Sequence, residues 1–327
     1  MAFTRRIRRQ ILRSGAAVGF AGASLTVALQ VGSLKAQAAA PHPIAPSYYI
    51  SKNTNPSTST LTNLGCSLGT LQGNTAGSLN IQAVLGFGAY KTSGNFTRWD
   101  ANGVGWTPGQ VSSLVQAFAA GYAYCSGSDL NSQLTISVMT NNSNSATNSS
   151  GYGAAFHNIV NGIANAVLAT SYGNRVFVVG GIDAEPGYGS VSGTLGWMSG
   201  YAGTGGVSLT ADMSADGLST GSANYTATTP SVNGWTVEDI YQAFVPGNKT
   251  QIPQIYFNAQ AIQWQKMSRY AATAHSQKIK FAGTMTEYGA NSSTYAPDAG
   301  YDSLQTKLNA DSLTAYTIPF DTDISWQ

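Results

Sequence analysis

Two rhythms of apolar residues alternate along this chain, one continuous or of period two, the other of helical spacing. Ile81-Gln82-Ala83-Val84-Leu85-Gly86-Phe87-Gly88 and Leu134-Thr135-Ile136-Ser137-Val138-Met139 read as strands. Val176-Phe177-Val178-Val179-Gly180-Gly181-Ile182 reads as a buried strand that runs into Asp183-Ala184-Glu185 and is stopped by Pro186. Between these runs, Thr107-Pro108 marks a helix start, and Val111, Leu114, Val115 and Phe118 share one face of a helix reaching about Tyr124. Ala155, Phe156, Ile159, Val160, Ile163, Val167 and Leu168 form a second helical stripe, ending near Gly173. Further on, the pattern predicts a short helix over 195–201, strands over 207–212, 237–245, 252–258 and 278–287, a helix from Ala259 to His275 and a closing helix from Gly300 to Ala310. A weak first strand over 47–51 precedes a Ser/Thr/Asn/Gly loop over 52–79.

Alternating strands and helices imply parallel pairing, and eight such units fit an irregular (β/α)8 TIM barrel forming a single domain; an open doubly wound sheet is the competing arrangement. In a barrel the chemistry gathers at the C-terminal ends of the strands. That rule brings Tyr90, Asn141, Asn142, Asp183, Glu185, Asp212, Tyr256, Asn258 and Glu287 to one face.

Among these the carboxylates matter most, because the chain has only three glutamates, Glu185, Glu238 and Glu287. Residues i and i+2 of a strand share a face, so Asp183 and Glu185 project together, roughly 7 Å apart along the strand. Two carboxylates on one wall push one pKa upward and keep an acid protonated at neutral pH. Solvated loop carboxylates are the plainer alternative. In a glycosidase one carboxylic acid protonates the leaving oxygen while a second group attacks, activates water or stabilises the developing cation. Glu185 is the candidate acid, Asp183 its tuning neighbour and Glu287 the second carboxylate. Asn141, Asn142, Asp212, Tyr90, Tyr256 and Asn258 are candidate substrate ligands. Glu238, after Trp235-Thr236-Val237, reads as a structural residue at an element start.

The N-terminus changes the electrostatic picture. Met1-Ala2-Phe3-Thr4-Arg5-Arg6-Ile7-Arg8-Arg9, an uncharged stretch from Gly15 to Leu34 and Ala36-Gln37-Ala38 make a basic n-region, an h-region and a small-x-small cleavage site. A signal peptide over 1–38 is expected, by a general or a twin-arginine route, and with it secretion. It is followed by an extended, loop-rich segment over 39–80 with the weak first strand, then the barrel body over 81–327. Residues 1–38 hold six of the 16 Lys+Arg and none of the 14 Asp+Glu, leaving ten basic against fourteen acidic residues, a net charge of −4. A nucleic-acid partner is therefore not expected, and no later segment is long and apolar enough to span a membrane. With 9% charged residues, 37 Gly and 17 Tyr in the full sequence, the chain suits neutral hydrogen bonding and stacking against sugars, so a polysaccharide or cell-wall glycan is the expected partner.

Cys66 and Cys125 are the only cysteines. In an oxidising compartment one disulfide between them is the favoured arrangement, with two free thiols the alternative. Other motifs carry less. Gly65-Cys66-Ser67-Leu68-Gly69 matches G-x-S-x-G but lacks the flanking strand and helix of a hydrolase elbow. His42, His157 and His275 show no metal spacing, and the last two read as helix-surface residues. Gly86-Phe87-Gly88 and Gly151-Tyr152-Gly153 lack the rest of a dinucleotide fingerprint, so neither cofactor nor metal is implied. Asp321 and Asp323 read as solvated. Trp197 and Trp264 read as core, whereas Trp99 and Trp106 are candidate sugar platforms.

Two resemblances add to this reading. The Asp183-Ala184-Glu185 pair, with Tyr256 from a later strand, resembles the acidic motif of chitinase-like and lysozyme-like barrel glycosidases, which implies Glu185 as acid assisted by Asp183. That motif carries two further aspartates upstream, where this chain has Val178 and Gly181, so substrate-assisted chemistry is not implied. Over a longer stretch, from about Ala83 onward, the chain resembles secreted bacterial proteins with a glycoside-hydrolase-like barrel and no assigned activity. The residues are Leu134-Thr135-Ile136 with Asn141-Asn142-Ser143, Gly181-Ile182-Asp183-Ala184-Glu185-Pro186, Ile252-Pro253-Gln254-Ile255-Tyr256 and Phe281-Ala282-Gly283-Thr284-Met285-Thr286. The expected function is hydrolysis of a polysaccharide, an amino-sugar polymer such as peptidoglycan or chitin being one candidate. The alternatives are a non-catalytic carbohydrate-binding barrel and a structural extracellular protein.

Overall fold

A computed structural model describes residues 44–50, 56–75, 77–90, 94–97, 105–142, 149–247 and 249–327. The expected signal peptide and Trp99 lie outside the described residues. Eight strands make one parallel sheet: β1 (Ala45–Tyr49), β2 (Asn80–Gly86), β5 (Gln133–Asn141), β6 (Val176–Ala184), β7 (Leu209–Met213), β8 (Lys249–Pro253), β9 (Thr284–Thr286) and β10 (Asp321–Trp326). A hairpin of β3 (Ala89–Tyr90) and β4 (Phe96–Thr97) follows β2. The sheet runs β8-β7-β6-β5-β2-β1-β10-β9, and its two edges meet through parallel bridges Gln251 to Phe281 and Gln254 to Met285. Ala282 N donates to Gln251 O at 2.8 Å and Ile255 N to Met285 O at 2.8 Å, which closes the ring. The fold is an irregular (β/α)8 barrel in a single domain. Among the described residues no helix is long and apolar enough to cross a membrane.

Helices α1 (Thr58–Gly73), α2 (Pro108–Cys125), α3 (Ser150–Leu168), α4 (Val191–Gly203), α5 (Val237–Phe244), α6 (Asn258–Ala274) and α7 (Pro297–Asn309) lie along the chain between the strands. The helix expected after Thr107 is present, and its capping box is complete: Thr107 Oγ1 accepts from Gln110 N at 3.3 Å, and Gln110 Oε1 accepts from Thr107 N at 2.9 Å.

Three elements differ from expectation. The loop expected over 52–79 contains α1, whose buried positions are Leu61, Gly65, Leu68, Gly69 and Gln72. Glycine supplies much of that face, so no apolar stripe announces the helix. The glycines instead let two backbones touch: a Cβ on Gly65 would lie 2.0 Å from Phe118 O, and one on Gly121 2.0 Å from Thr62 O. The disulfide between Cys66 and Cys125, with Cα atoms 4.9 Å apart, joins the same two helices. Ser67 sits inside α1 with its hydroxyl donating to Asn63 O at 3.0 Å, so it occupies no nucleophile elbow.

The strand expected over 237–245 is α5. Thr236 and Asp239 form a capping box at its start, and Val237, Ile240, Tyr241 and Phe244 are buried at helical spacing. The sixth barrel strand is β8 instead, and β9 is the seventh. The eighth is β10, a segment whose sequence predicts no strand; it pairs with both β1 and β9. Closure therefore comes from β10 and not from the helix after Gly300. Asp321 is fully buried on this strand, and Asp323 accepts from Thr286 Oγ1, Tyr288 N and Gly289 N at 2.7, 2.8 and 2.9 Å, so neither is a solvated acid.

The strand registers separate an inner from an outer face. Tyr49 pairs with Gly86, Gly86 with Met139, Met139 with Gly181, Asp183 with Asp212, Asp212 with Ile252, and Met285 with Thr322. All belong to one parity, since parallel partners point the same way. That parity faces the lumen, because Gln82 Nε2 on β2 reaches Thr210 Oγ1 on β7 at 2.5 Å with β5 and β6 lying between those strands in the sheet. The lumen is mixed, holding Ser47, Gln82, Ser137, Thr210 and Thr322 beside Met139, Ile252 and Met285, with Ser47 and Thr322 hydroxyls bonded at 2.6 Å. The apolar core lies outside it, where Ile81, Ala83, Leu85, Leu134, Ile136, Val138, Val178 and Ile182 meet Phe118, Phe156, Trp197 and Trp264.

Candidate active site

On β6 the inner positions are Gly181 and Asp183, and Glu185 follows as the next inner residue. Gly181 leaves no room for a side chain, since a Cβ would lie 2.3 Å from Ser137 Oγ. An acid at this upstream position of the chitinase-like motif would have to displace the Ser137 hydroxyl. Asp183 is 3% exposed and accepts from Gln254 Nε2 at 2.6 Å. Burial, then the neighbouring Asp212, pushes its pKa well above the carboxylate range, and the Gln254 bond opposes the shift.

Glu185 is held by its backbone. Its N–H donates to Asn142 Oδ1 at 3.0 Å, and Asn142 Nδ2 donates to the Glu185 carbonyl at 3.0 Å and to Thr194 Oγ1 at 3.2 Å. The side chain stays partly exposed at the barrel mouth. Its pKa is raised by burial first, then by Asp183 and Asp216. Glu287 follows β9 and is also partly exposed, accepting from Asn291 Nδ2 at 3.2 Å. Burial raises its pKa, the Asn291 bond lowers it, and Asp323 raises it further. Glu185 and Glu287 thus follow the fourth and seventh barrel strands, and Glu287 contributes to raising the pKa of both Asp183 and Glu185.

Two tyrosines complete this end of the lumen. Tyr49, the inner residue ending β1, packs its ring 4.6 Å from that of Trp326. Its pKa lies well above 10 through burial, then Asp183, Glu287 and Glu185. Tyr256, just past β8, is raised by burial and by Tyr49 and the same three acids. Both phenols are therefore protonated donors beside the carboxylates. Asn141, ending β5 in register with Asp183, is buried in the same ring of residues.

Other expected ligands stand elsewhere. Asn142 is fully buried and braces Glu185, which removes it from contact with substrate. Asp212 is fully buried beside Asp183, and neither of its carboxylate oxygens has a hydrogen-bond partner among the described residues. Burial raises its pKa well above the usual range, so it is a neutral acid below the site. Asn258 opens α6 and is exposed. Tyr90 is 7% exposed and packs with Phe96 and Phe156 at 5.4 and 5.8 Å, an aromatic cluster outside the lumen. Trp106 is buried in that core as well, and Trp197 and Trp264 are core residues. His157 is buried against Tyr201 and not on a helix surface. His275 caps α6, stacks on Tyr241 at 3.8 Å and meets Glu238 at 2.9 Å. Glu238 also accepts from Tyr270 and Gln242, a structural role as expected.

Sequence reasoning missed Tyr49, Gln254, Asp216 and Tyr188. Tyr49 and Gln254 are inward positions at or just past a strand end, which only the register of the closed ring reveals.

No family model matches the chain, and no curated protein matches it. Among solved structures it is similar to an Ignisphaera aggregans GH53 catalytic domain, at 10% identity and a TM-score of 0.32 over 72% of this chain and 56% of that one. It is also similar to a GH26 beta-mannanase from Bacteroides ovatus, at 12% identity and a TM-score of 0.35 over 82% of this chain and 86% of that one. This chain spans little more than half the length of the first. The barrel assignment rests on the strand pairings, not on these likenesses.

Chemically, the arrangement offers a carboxylic acid biased toward its protonated form, a second carboxylate with an amide donor that favours its charged form, and phenol donors near both. Among the described residues no three His, Cys, Asp or Glu side chains gather in a metal-binding arrangement.

Proposed function

We propose that this chain is a secreted glycoside hydrolase that cleaves a polysaccharide by carboxylate acid/base chemistry. The observation that carries the reading is the placement of Glu185 and Glu287 after the fourth and seventh barrel strands, on the inner face, with Glu185 biased toward its protonated form. Glu185 gives its proton to the glycosidic oxygen as the bond to the anomeric carbon breaks. Glu287 stabilises or attacks that carbon, or draws a proton from the water that does, and water finally supplies the hydroxyl to one product and the proton that restores Glu185. Burial, and after it Asp183 and Asp216, favour the protonated form of Glu185, and Tyr49 and Tyr256 offer hydrogen bonds to sugar hydroxyls. The disulfide suits an oxidising compartment, which agrees with the expected signal peptide. An amino-sugar polymer is one member of the substrate class.

The test incubates residues 39–327 and the Glu185→Gln variant with peptidoglycan, chitin and neutral plant polysaccharides, reading both reducing-end release and binding. Cleavage by the wild type alone, with binding kept in the variant, is the expected result. Binding without cleavage by either protein replaces the hydrolase with a carbohydrate-binding barrel. Activity falls at high pH as Glu185 loses its proton, so the descending limb of the profile lies above neutrality and is absent from any reaction that does not need this acid.

A further inference from the structure

Just past Glu185 the chain turns tightly, and the turn is held from both sides. The Glu185 carbonyl accepts from Tyr188 N at 3.0 Å and Gly189 N at 3.4 Å, while Asn142 grips the Glu185 peptide groups. A second brace comes from the segment between β7 and α5. Asn233 Nδ2 donates to Pro186 O at 3.0 Å and to Gly187 O at 2.9 Å, and Trp235 Nε1 donates to Gly189 O at 2.8 Å. Asn233 reaches both carbonyls from a left-handed backbone, φ 52, a conformation that costs energy at any residue with a Cβ and is best tolerated by asparagine and aspartate. Trp235 is fully buried, so the brace is rooted in the core. Ser231, on the same segment, donates to the Asp216 carbonyl and ties in the loop after β7.

Such a brace presents one large side chain, Tyr188, which is 55% exposed at the mouth, three residues beyond the candidate acid. We infer that Tyr188 is a specificity-determining residue that stacks on and hydrogen-bonds the sugar ring on the leaving-group side of the scissile bond, and that Asn233 is the positioning residue that fixes it. This rests on the hydrolase reading above. A general acid stands beside the oxygen it protonates, so an aromatic platform on the acid's own loop meets the sugar attached through that oxygen. Glu185, ahead of burial and Asp183, pushes the Tyr188 phenol up to about 12, which keeps its hydroxyl a donor. The ligand it fits is a pyranose ring with free hydroxyls in the interior of a glycan chain.

The experiment measures kcat and KM for wild type, Tyr188→Ala, Tyr188→Phe and Asn233→Asp on the cleaved polysaccharide and on an activated aryl glycoside of the same sugar, with melting temperatures as a folding control. The aryl glycoside has no sugar on the leaving side. In Tyr188→Ala, kcat/KM on the polysaccharide falls about ten-fold further than on the aryl glycoside, mainly through KM, and Tyr188→Phe falls less. Asn233→Asp tolerates the left-handed backbone but cannot donate to two carbonyls, so it shifts the two substrates in the same unequal way. Equal losses on both substrates, or none on the polysaccharide, overturn the inference and leave the hydrolase reading standing. If the wild type binds a glycan without cleaving it, weaker binding by Tyr188→Ala supports the platform and removes only the hydrolase, whereas unchanged binding removes the platform too. A wild type that neither cleaves nor binds any glycan removes both.

Discussion

The two faces of the barrel wall are made of different material. Outward, β2, β5 and β6 present Ile81, Ala83, Leu85, Leu134, Ile136, Val138, Val178 and Ile182 to the helices. Inward, the same strands present Gln82, Ser137, Asn141, Gly181 and Asp183 among a few apolar residues such as Val84 and Met139. Burial stabilises on the outer side, at about 1.5–3 kcal/mol for each large apolar side chain removed from water. On the inner side it works against the ionised state of every acid it covers. The barrel therefore divides its labour by strand parity, with stability outside and reactivity inside.

The comparison breaks most visibly if inner and outer substitutions have the same consequences. Glu185→Gln is expected to lower turnover by on the order of 10²–10⁴-fold, the range for loss of a general acid. Its melting temperature at pH 8 is expected to equal or exceed that of the wild type, since a group whose burial opposes ionisation is removed; a large drop in melting temperature would place Glu185 among the structural residues. The double variant Cys66→Ser/Cys125→Ser acts in the opposite sense. Opening a loop with a sequence separation of 59 residues is expected to cost about 4 kcal/mol in denaturant unfolding, with kcat of the folded fraction unchanged.

The pH dependence of stability is the sharpest probe of the inner face. Asp183, Glu185 and Asp212 all have folded-state pKa values raised above those of the unfolded chain. Their contribution to stability is complete below about pH 4 and is lost as pH rises through the raised values, at about 1.4 kcal/mol for each tenfold difference between the folded and unfolded ionisation constants. Stability is therefore expected to decline from about pH 5 to about pH 9, and Asp212→Asn to flatten that decline. A slope unchanged in Asp212→Asn would show that this carboxyl is not the neutral acid its surroundings require.

How far the sequence could be read follows from the same division. The outer core announces itself through apolar periodicity, so β2, β5, β6, α2, α3 and α6 were legible. The α1 helix was hidden because glycines at 65 and 69 occupy the face where leucines are sought, and the tightness of its packing on α2 depends on their lacking side chains. In 237–245 a short apolar run outweighed the Thr236–Asp239 capping box, which is the better signal. Both faces of β10 carry polar residues, Asp321 and Asp323 outward and Thr322 inward, so no alternation marks it. At the mouth, Asp183, Glu185, Glu287, Tyr256 and Asn141 were legible as polar residues where strands end. Tyr49, Gln254 and Asp216 were not, because their roles depend on which strand lies opposite, and that is a property of ring closure. Asn142 and Asp212 were identified by the same rule but are fully buried, Asn142 by its bonds to Glu185 and Thr194.

Ring closure also has a kinetic side. The side-chain bond between Ser47 on β1 and Thr322 on β10 joins residues 275 apart in sequence, and β10 lies between β1 and β9 in the sheet. The ring cannot be completed until Trp326 has emerged from the ribosome, and loop closure over such a span is slow. During synthesis β1 lacks its β10 partner while β9 waits with an open edge. A chain that delays its final pairing in this way keeps the two edges of its barrel open until its last strand has been made.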